Sequence, residues 1–135
     1  MEVNLNLEIS YLDMLKMKNK KLISILTMEN EHILDNVVLA DSFFSRLKGL
    51  MGRDKIEDSE GLLIKPCNSV HTFFMKFNLD IAFVDRNYMV LEISRDLAPN
   101  KLSKIYKESK FVIEGKSGSL SKLKIGEKIK IANKD

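Results

Sequence analysis

The sequence predicts a mainly β domain, β-rich α+β in class: a small barrel-like body of short strands with one short amphipathic helix. Three observations lead there. Short apolar runs recur between polar turns from residue 22 to residue 131, the spacing of small barrels and sandwiches. One segment, 41–52, has helical periodicity instead. No apolar run reaches the roughly 18 residues that a membrane-spanning helix needs.

Composition sets the outer limits. The chain has 135 residues, which suits one domain. Its 44% apolar and 30% charged residues are ordinary for a soluble globular protein. The net charge of +3 is small, so neither nucleic acid nor membrane is expected as a partner. The single cysteine, Cys67, excludes an internal disulfide and a multi-cysteine zinc site, and it fits a reducing, cytoplasmic location. Met17–Lys21 followed by the run LISILTM has the outline of a signal peptide. The run is too short and polar, and lacks a small-residue cleavage site, so it reads as a strand.

Taken in order, residues 1–16 form an N-terminal appendage to a domain over 17–135. Val3, Leu5, Leu7 and Ile9 alternate with polar residues, the period of a half-buried strand. Two readings stand: a loosely docked terminus, or an edge strand that pairs with a second chain through residues 3–10. Residues 22–28 and 33–39 read as two strands around the turn Glu29–His32, where His32 is a solvated side chain. In 41–52, Asp41 or Ser42 can cap, Phe43, Phe44, Leu47, Leu50 and Met51 share one face, and Gly52 stops the helix. Arg46 lies on the polar face.

Leu62–Lys65 is the next strand, ended by Pro66, which cannot donate to a ladder. Residues 70–76 are irregular or extended. Leu79–Val84 is a buried strand, paired across the turn Asp85–Asn87 with Tyr88–Ile93. Residues 94–110 form a long basic loop with a helical turn near 102–106. Phe111–Glu114 and Lys128–Ile131 are the last strands, with 120–123 a turn or short strand between them.

Several strings together resemble the family known as domain of unknown function 192. They are Arg46-Leu47-Lys48-Gly49-Leu50-Met51, Glu60-Gly61-Leu62-Leu63, His71-Thr72-Phe73-Phe74-Met75-Lys76 and Leu79-Asp80-Ile81-Ala82-Phe83-Val84-Asp85, with Val112-Ile113-Glu114 a looser match. The resemblance spans about 33–131 and implies a compact, mostly β, barrel-like fold with a short helix and no settled activity. It also implies export in many relatives, from which this chain departs. Asn78-Leu79 replaces the family's proline before the aspartate strand, and Gly115-Lys116-Ser117 replaces its small-residue turn.

For chemistry, Leu62–Asp85 is the richest stretch. Cys67 and His71 could form a thiolate–imidazolium pair, or offer two metal ligands with Met75 or Asp80 as a third. The simpler reading makes Cys67 a small buried hydrophobe and His71 a backbone partner. Phe73, Phe74, Met75 and Phe77 cannot all face one side of a strand, so an outward aromatic is expected to line a groove. Asp80 opens a buried strand and needs a partner; Arg46 is the first candidate and Lys76 the second. Lys101, Lys104, Lys107 and Lys110 read as a solvated stripe.

The sequence therefore predicts an uncharacterised, non-enzymatic binding or accessory module. Its expected cleft is lined by Arg46, His71, Phe74, Met75, Lys76 and Asp80, with no cofactor and no metal. Its ligand would be a protein or a small molecule. The alternative is a metal- or thiol-dependent enzyme using Cys67 and His71.

Overall fold

The computed structural model describes residues 22–42 and 50–134. Seven strands make one sheet: β1 (Ile23–Thr27), β2 (His32–Ala40), β3 (Glu60–Ile64), β4 (Leu79–Asp85), β5 (Val90–Leu97), β6 (Ser109–Lys116) and β7 (Ile129–Asn133). Their order across the sheet is β5-β4-β6-β3-β2-β1-β7. Only β2 and β3 run parallel, from Asn36 opposite Glu60 to Ala40 opposite Ile64. The other neighbours are antiparallel.

The protein is thus mainly β, as the alternating sequence predicts. Closure is less complete than the expected barrel. The two edge strands touch at one bridge, Met89 to Lys128, supported by Val90 N–H donating to Glu127 O at 2.8 Å and Ile129 N–H to Tyr88 O at 2.9 Å. No ladder continues from it, so the sheet is not closed into a barrel. No helix occurs among the described residues; the one expected over 41–52 falls mostly on 43–49, outside them. The appendage over 1–16 and its edge strand over 3–10 also lie outside the described residues.

Alternation along the strands divides the interior into two cores. Ile25, Leu34, Leu63, Ala82, Val84 and Ile113 share one face of the sheet, sealed by Leu120 and Leu123 from the turn after β6. Arg95 holds that turn in place, its guanidinium donating to Leu120 O at 3.0 Å and Leu123 O at 2.7 Å. The other face carries Leu62, Leu79, Ile81, Phe83 and Val112. It is covered by Leu50, Met51 and Ile56, and by Val70 and Met75 from the loop after β3. β4 is therefore buried on both sides, which explains its nearly continuous apolar run.

Two cross-strand glycines make room where the sheet is tightest. Gly61 of β3 faces Gly115 of β6. A Cβ on Gly61 would meet Glu114 O and Leu34 Cδ1, each at 2.7 Å. The side chain of Leu34 occupies the slot that the pair leaves open.

β5 is longer than the sequence suggests. Residues 94–97, expected in a loop, continue the ladder with β4 through a bulge at which Leu79 pairs with Leu97 and Ile81 with Ser94. Asp96 sits there at φ 52, and its amide turns inward to Asp80 Oδ1 at 2.9 Å. A polar, charged sequence hid this segment because its stabilising partner is a buried carboxylate rather than an apolar face.

Candidate functional site

The chemistry-rich loop after β3 is held against the segment after β5. Thr72 is the keystone and is fully buried. Its hydroxyl donates to Ala98 O at 2.7 Å and accepts from Lys101 N at 2.9 Å. Its amide donates to Lys101 O, and its carbonyl accepts from Asn100 N, both at 2.9 Å. Further along, Ser103 N–H donates to Val70 O, Tyr106 N–H to Asn68 O, and Cys67 N–H to Lys110 O. His71 and Leu102 face each other as an isolated antiparallel bridge. Residues 67–75 and 98–110 thereby form an irregular two-stranded ribbon, and the helical turn expected near 102–106 is absent. Backbone bonds to the neighbouring loop replace the helical ones.

This ribbon projects apolar side chains into solvent. Phe73 is 40% exposed, Phe74 50%, Leu102 73% and Ile105 69%. The ring of Phe73 stacks on His71 with centroids 5.3 Å apart. Phe74 has φ 66. For a bulky residue the left-handed region is strained, and it persists only where the surroundings over-determine it. On the inner side Met75 and Val70 are buried, and Tyr106 packs its ring on Phe83 at 4.4 Å. The crowded aromatics thus split, with Phe73 and Phe74 outward, Met75 inward and Phe77 partly buried against the core.

The other predicted residues separate. Lys76 is exposed and pairs with Asp54 at 2.9 Å. That contact lowers the pKa of Asp54, chiefly through the hydrogen bond from Lys76. Asp80 is 2% exposed and lies on the face of Ala82 and Val84, opposite to Met75. Its partners are three backbone amides: Asp96 N at 2.9 Å, Gly118 N at 2.9 Å and Leu120 N at 3.2 Å. Among the described residues no basic side chain, Lys76 included, takes the place expected for a cation at Asp80. Arg46 lies outside the described residues.

Cys67 and His71 are each engaged locally. The Cys67 thiol donates to Ser69 O at 3.1 Å, and Ser109 Oγ donates to Cys67 O at 3.0 Å. His71 Nδ1 accepts from Phe73 N–H at 3.2 Å, and burial pushes the ring's pKa down. A neutral imidazole acting as acceptor does not supply the imidazolium that stabilises a thiolate. Among the described residues no three His, Cys, Asp or Glu side chains are placed to hold a metal ion. His32, expected to be solvated, is exposed and bonds Asp35 at 2.5 Å through Nδ1.

Two features escaped the sequence reading. Leu102 and Ile105 were hidden in a basic stretch; their signal is isolated aliphatic residues between lysines. Glu114 is 4% exposed, and burial raises its pKa to about 7. It sits on the face of Val112, opposite Leu62 on one side and Ile81 on the other. Two shallow surface depressions lie elsewhere, one between Asp85–Asn87 and Lys107–Lys110, the other among Asp54–Glu57, Phe77 and Lys116.

A mainly β sheet with one projecting apolar ribbon defines a small domain without an assembled catalytic set among its described residues. Residues 24–131 match the family model of DUF192, described as an uncharacterised ACR, and the chain belongs to that family. It is 33% identical over 101 residues to the UPF0127 protein of Pyrococcus horikoshii, covering 70% of this chain and 85% of that one. A solved protein of unknown function from Novosphingobium aromaticivorans shares the fold with a TM-score of 0.70 at 22% identity, covering 80% of this chain and 82% of that one. A Sinorhizobium meliloti structure, provisionally described as a transcription regulator, gives 0.66 at 19% identity, covering 82% and 91%. No helix among the described residues is long and apolar enough to cross a membrane.

Proposed function

We propose that this chain is a non-enzymatic binding module whose contact surface is the ribbon of 71–74 and 102–105. One observation carries the reading. Four large apolar side chains stand exposed on two segments that backbone hydrogen bonds tie together at Asn68, Val70 and Thr72. A mobile loop would expose such residues by chance. A pinned one exposes them at a standing free-energy cost, and contiguous exposed apolar surface marks interaction sites. The strained Phe74 backbone supports the same reading, because it turns one ring outward that a relaxed loop could bury. His71 contributes as a stacking support for Phe73. The single cysteine supports a cytoplasmic setting for the module.

The test is photo-crosslinking in the native host. A benzoylphenylalanine placed at Phe74 is expected to yield discrete adducts, and one placed at the exposed Met28 is not. Leu102→Ser with Ile105→Ser should remove the Phe74 adducts without lowering the melting temperature. Equal labelling from both positions would sink the proposal.

A further inference from the structure

The class of partner follows from the shape and charge around the ribbon. Leu102 at 73% and Ile105 at 69% exposure have almost no protein beside them. Side chains lining a groove are shielded by its walls; these stand proud of the surface. The contact is therefore convex, suited to insertion into something soft or deep.

The rim is predominantly basic. Lys101, Lys104, Lys107 and Lys110 alternate with Leu102, Ile105 and Phe111 along the ribbon and are exposed, except that Phe111 turns inward. The ion pairs among the described residues are His32–Asp35, Arg53–Glu60, Lys55–Glu57, Lys76–Asp54, Lys116–Asp58 and Lys122–Glu31, so none uses these four lysines. Glu108 is the lone carboxylate between residues 97 and 111. Two copies meeting through this face would bring the lysines together, so self-association is disfavoured.

Apolar tips flanked by lysines on a projecting ribbon match one occupant. We propose that this ribbon docks the protein on an anionic lipid surface, with Phe73, Phe74, Leu102 and Ile105 entering the headgroup–acyl boundary and Lys101 and Lys104 meeting the phosphates. The inference rests on the ribbon being the contact surface. It replaces the expectation, drawn from net charge, that no membrane is involved. Net charge averages over the molecule, whereas docking responds to the local field. The association is peripheral and needs no spanning helix.

The experiment is co-sedimentation of the full chain with phosphatidylcholine vesicles, with and without phosphatidylglycerol. Binding is expected to the anionic vesicles, to weaken as salt is raised, and to be at least roughly tenfold poorer on neutral ones. Lys101→Glu with Lys104→Glu should abolish the anionic preference, because each lysine near such a surface strengthens binding roughly fivefold. Leu102→Ser with Ile105→Ser should reduce binding even at low salt. All four side chains are solvent-exposed, so an unchanged thermal melt separates lost docking from lost folding. Absence of vesicle binding, or binding indifferent to the serine pair, overturns the inference. Retention of a random single-stranded oligonucleotide in place of vesicles also overturns it. If Phe74 still crosslinks to protein in the host while vesicles are ignored, the contact surface stands and only the lipid assignment falls.

Discussion

Two carboxylates sit one register step apart in the middle of the sheet, and the protein treats them oppositely. Asp80 of β4 pairs with Gly115 of β6, and Ile81 with Glu114. Both acids are nearly excluded from solvent, at 2% and 4% exposure. Asp80 faces the core sealed by the turn after β6 and accepts from three backbone amides. Glu114 faces the opposite core between Leu62 and Ile81, and burial raises its pKa to about 7. Two charged groups at neighbouring positions on its face are paired elsewhere: Glu60 with Arg53 at 3.2 Å and Lys116 with Asp58 at 3.3 Å. A buried carboxylate is thus accommodated in two ways. Amides can replace its lost water, or it can stay protonated and behave as a polar but neutral side chain.

The largest effect is expected at Asp80. Its removal strands three inward-pointing amides in the turn and bulge that seal one core. Asp80→Ala should cost about 3–5 kcal/mol, the range for leaving buried polar partners unmatched. Urea unfolding followed by circular dichroism measures it. Asp80→Asn should recover only part of the loss, since a neutral amide accepts more weakly and its NH₂ faces donors. A loss below about 1 kcal/mol for the alanine variant would break the comparison, because the amides would then have found other partners.

Glu114 tests the other arm, with a sign that depends on pH. Burial raises its folded pKa from the ordinary 4.5 to about 7. Below pH 4.5 both states bind the proton and the group costs nothing in linkage. As pH rises through that window the unfolded state ionises first, and stability falls by about 3 kcal/mol in all, levelling off above 7. Glutamine cannot ionise. Glu114→Gln should match the parent near pH 4 and exceed it by about 2–3 kcal/mol near pH 8. Denaturant midpoints at the two pH values decide this. A glutamine variant that is less stable at the higher pH would mean that the carboxylate has a favourable use the burial argument omits.

The contrast also explains how much of the molecule the sequence disclosed. All seven strands correspond to apolar runs, because alternation and turn chemistry act locally. Leu79–Val84 could be read as doubly buried from its unbroken hydrophobicity. The length of β5 could not, since Ser94-Arg95-Asp96 looks like loop until Asp80 and the turn at 118–120 are adjacent in space. For the same reason the sequence offered only cations for Asp80, while its partners among the described residues are backbone amides that no side-chain pattern encodes. At the candidate site, an outward aromatic was legible from four bulky residues in five positions. Its neighbours Leu102 and Ile105 were not, because they come beside Phe73 through pairing between residues about thirty positions apart in the chain.

Thr72 allows the same contrast to be examined without charge. It is the fully buried hydroxyl at the base of the ribbon, solvated by Ala98 O and Lys101 N much as Asp80 is solvated by amides. Thr72→Val keeps the shape and removes both bonds. One carbonyl and one amide are then left unmatched, so the loss should be about 2 kcal/mol, smaller than for Asp80 and without pH dependence. Hydrogen exchange adds a local readout. The amides of Asn100, Lys101 and Ser103 should exchange faster in the variant, while those in β4 and β6 change only by the global amount. If all amides shift together, Thr72 is merely part of the core. If the ribbon amides alone loosen, the threonine is what keeps Phe73 and Phe74 presented outward.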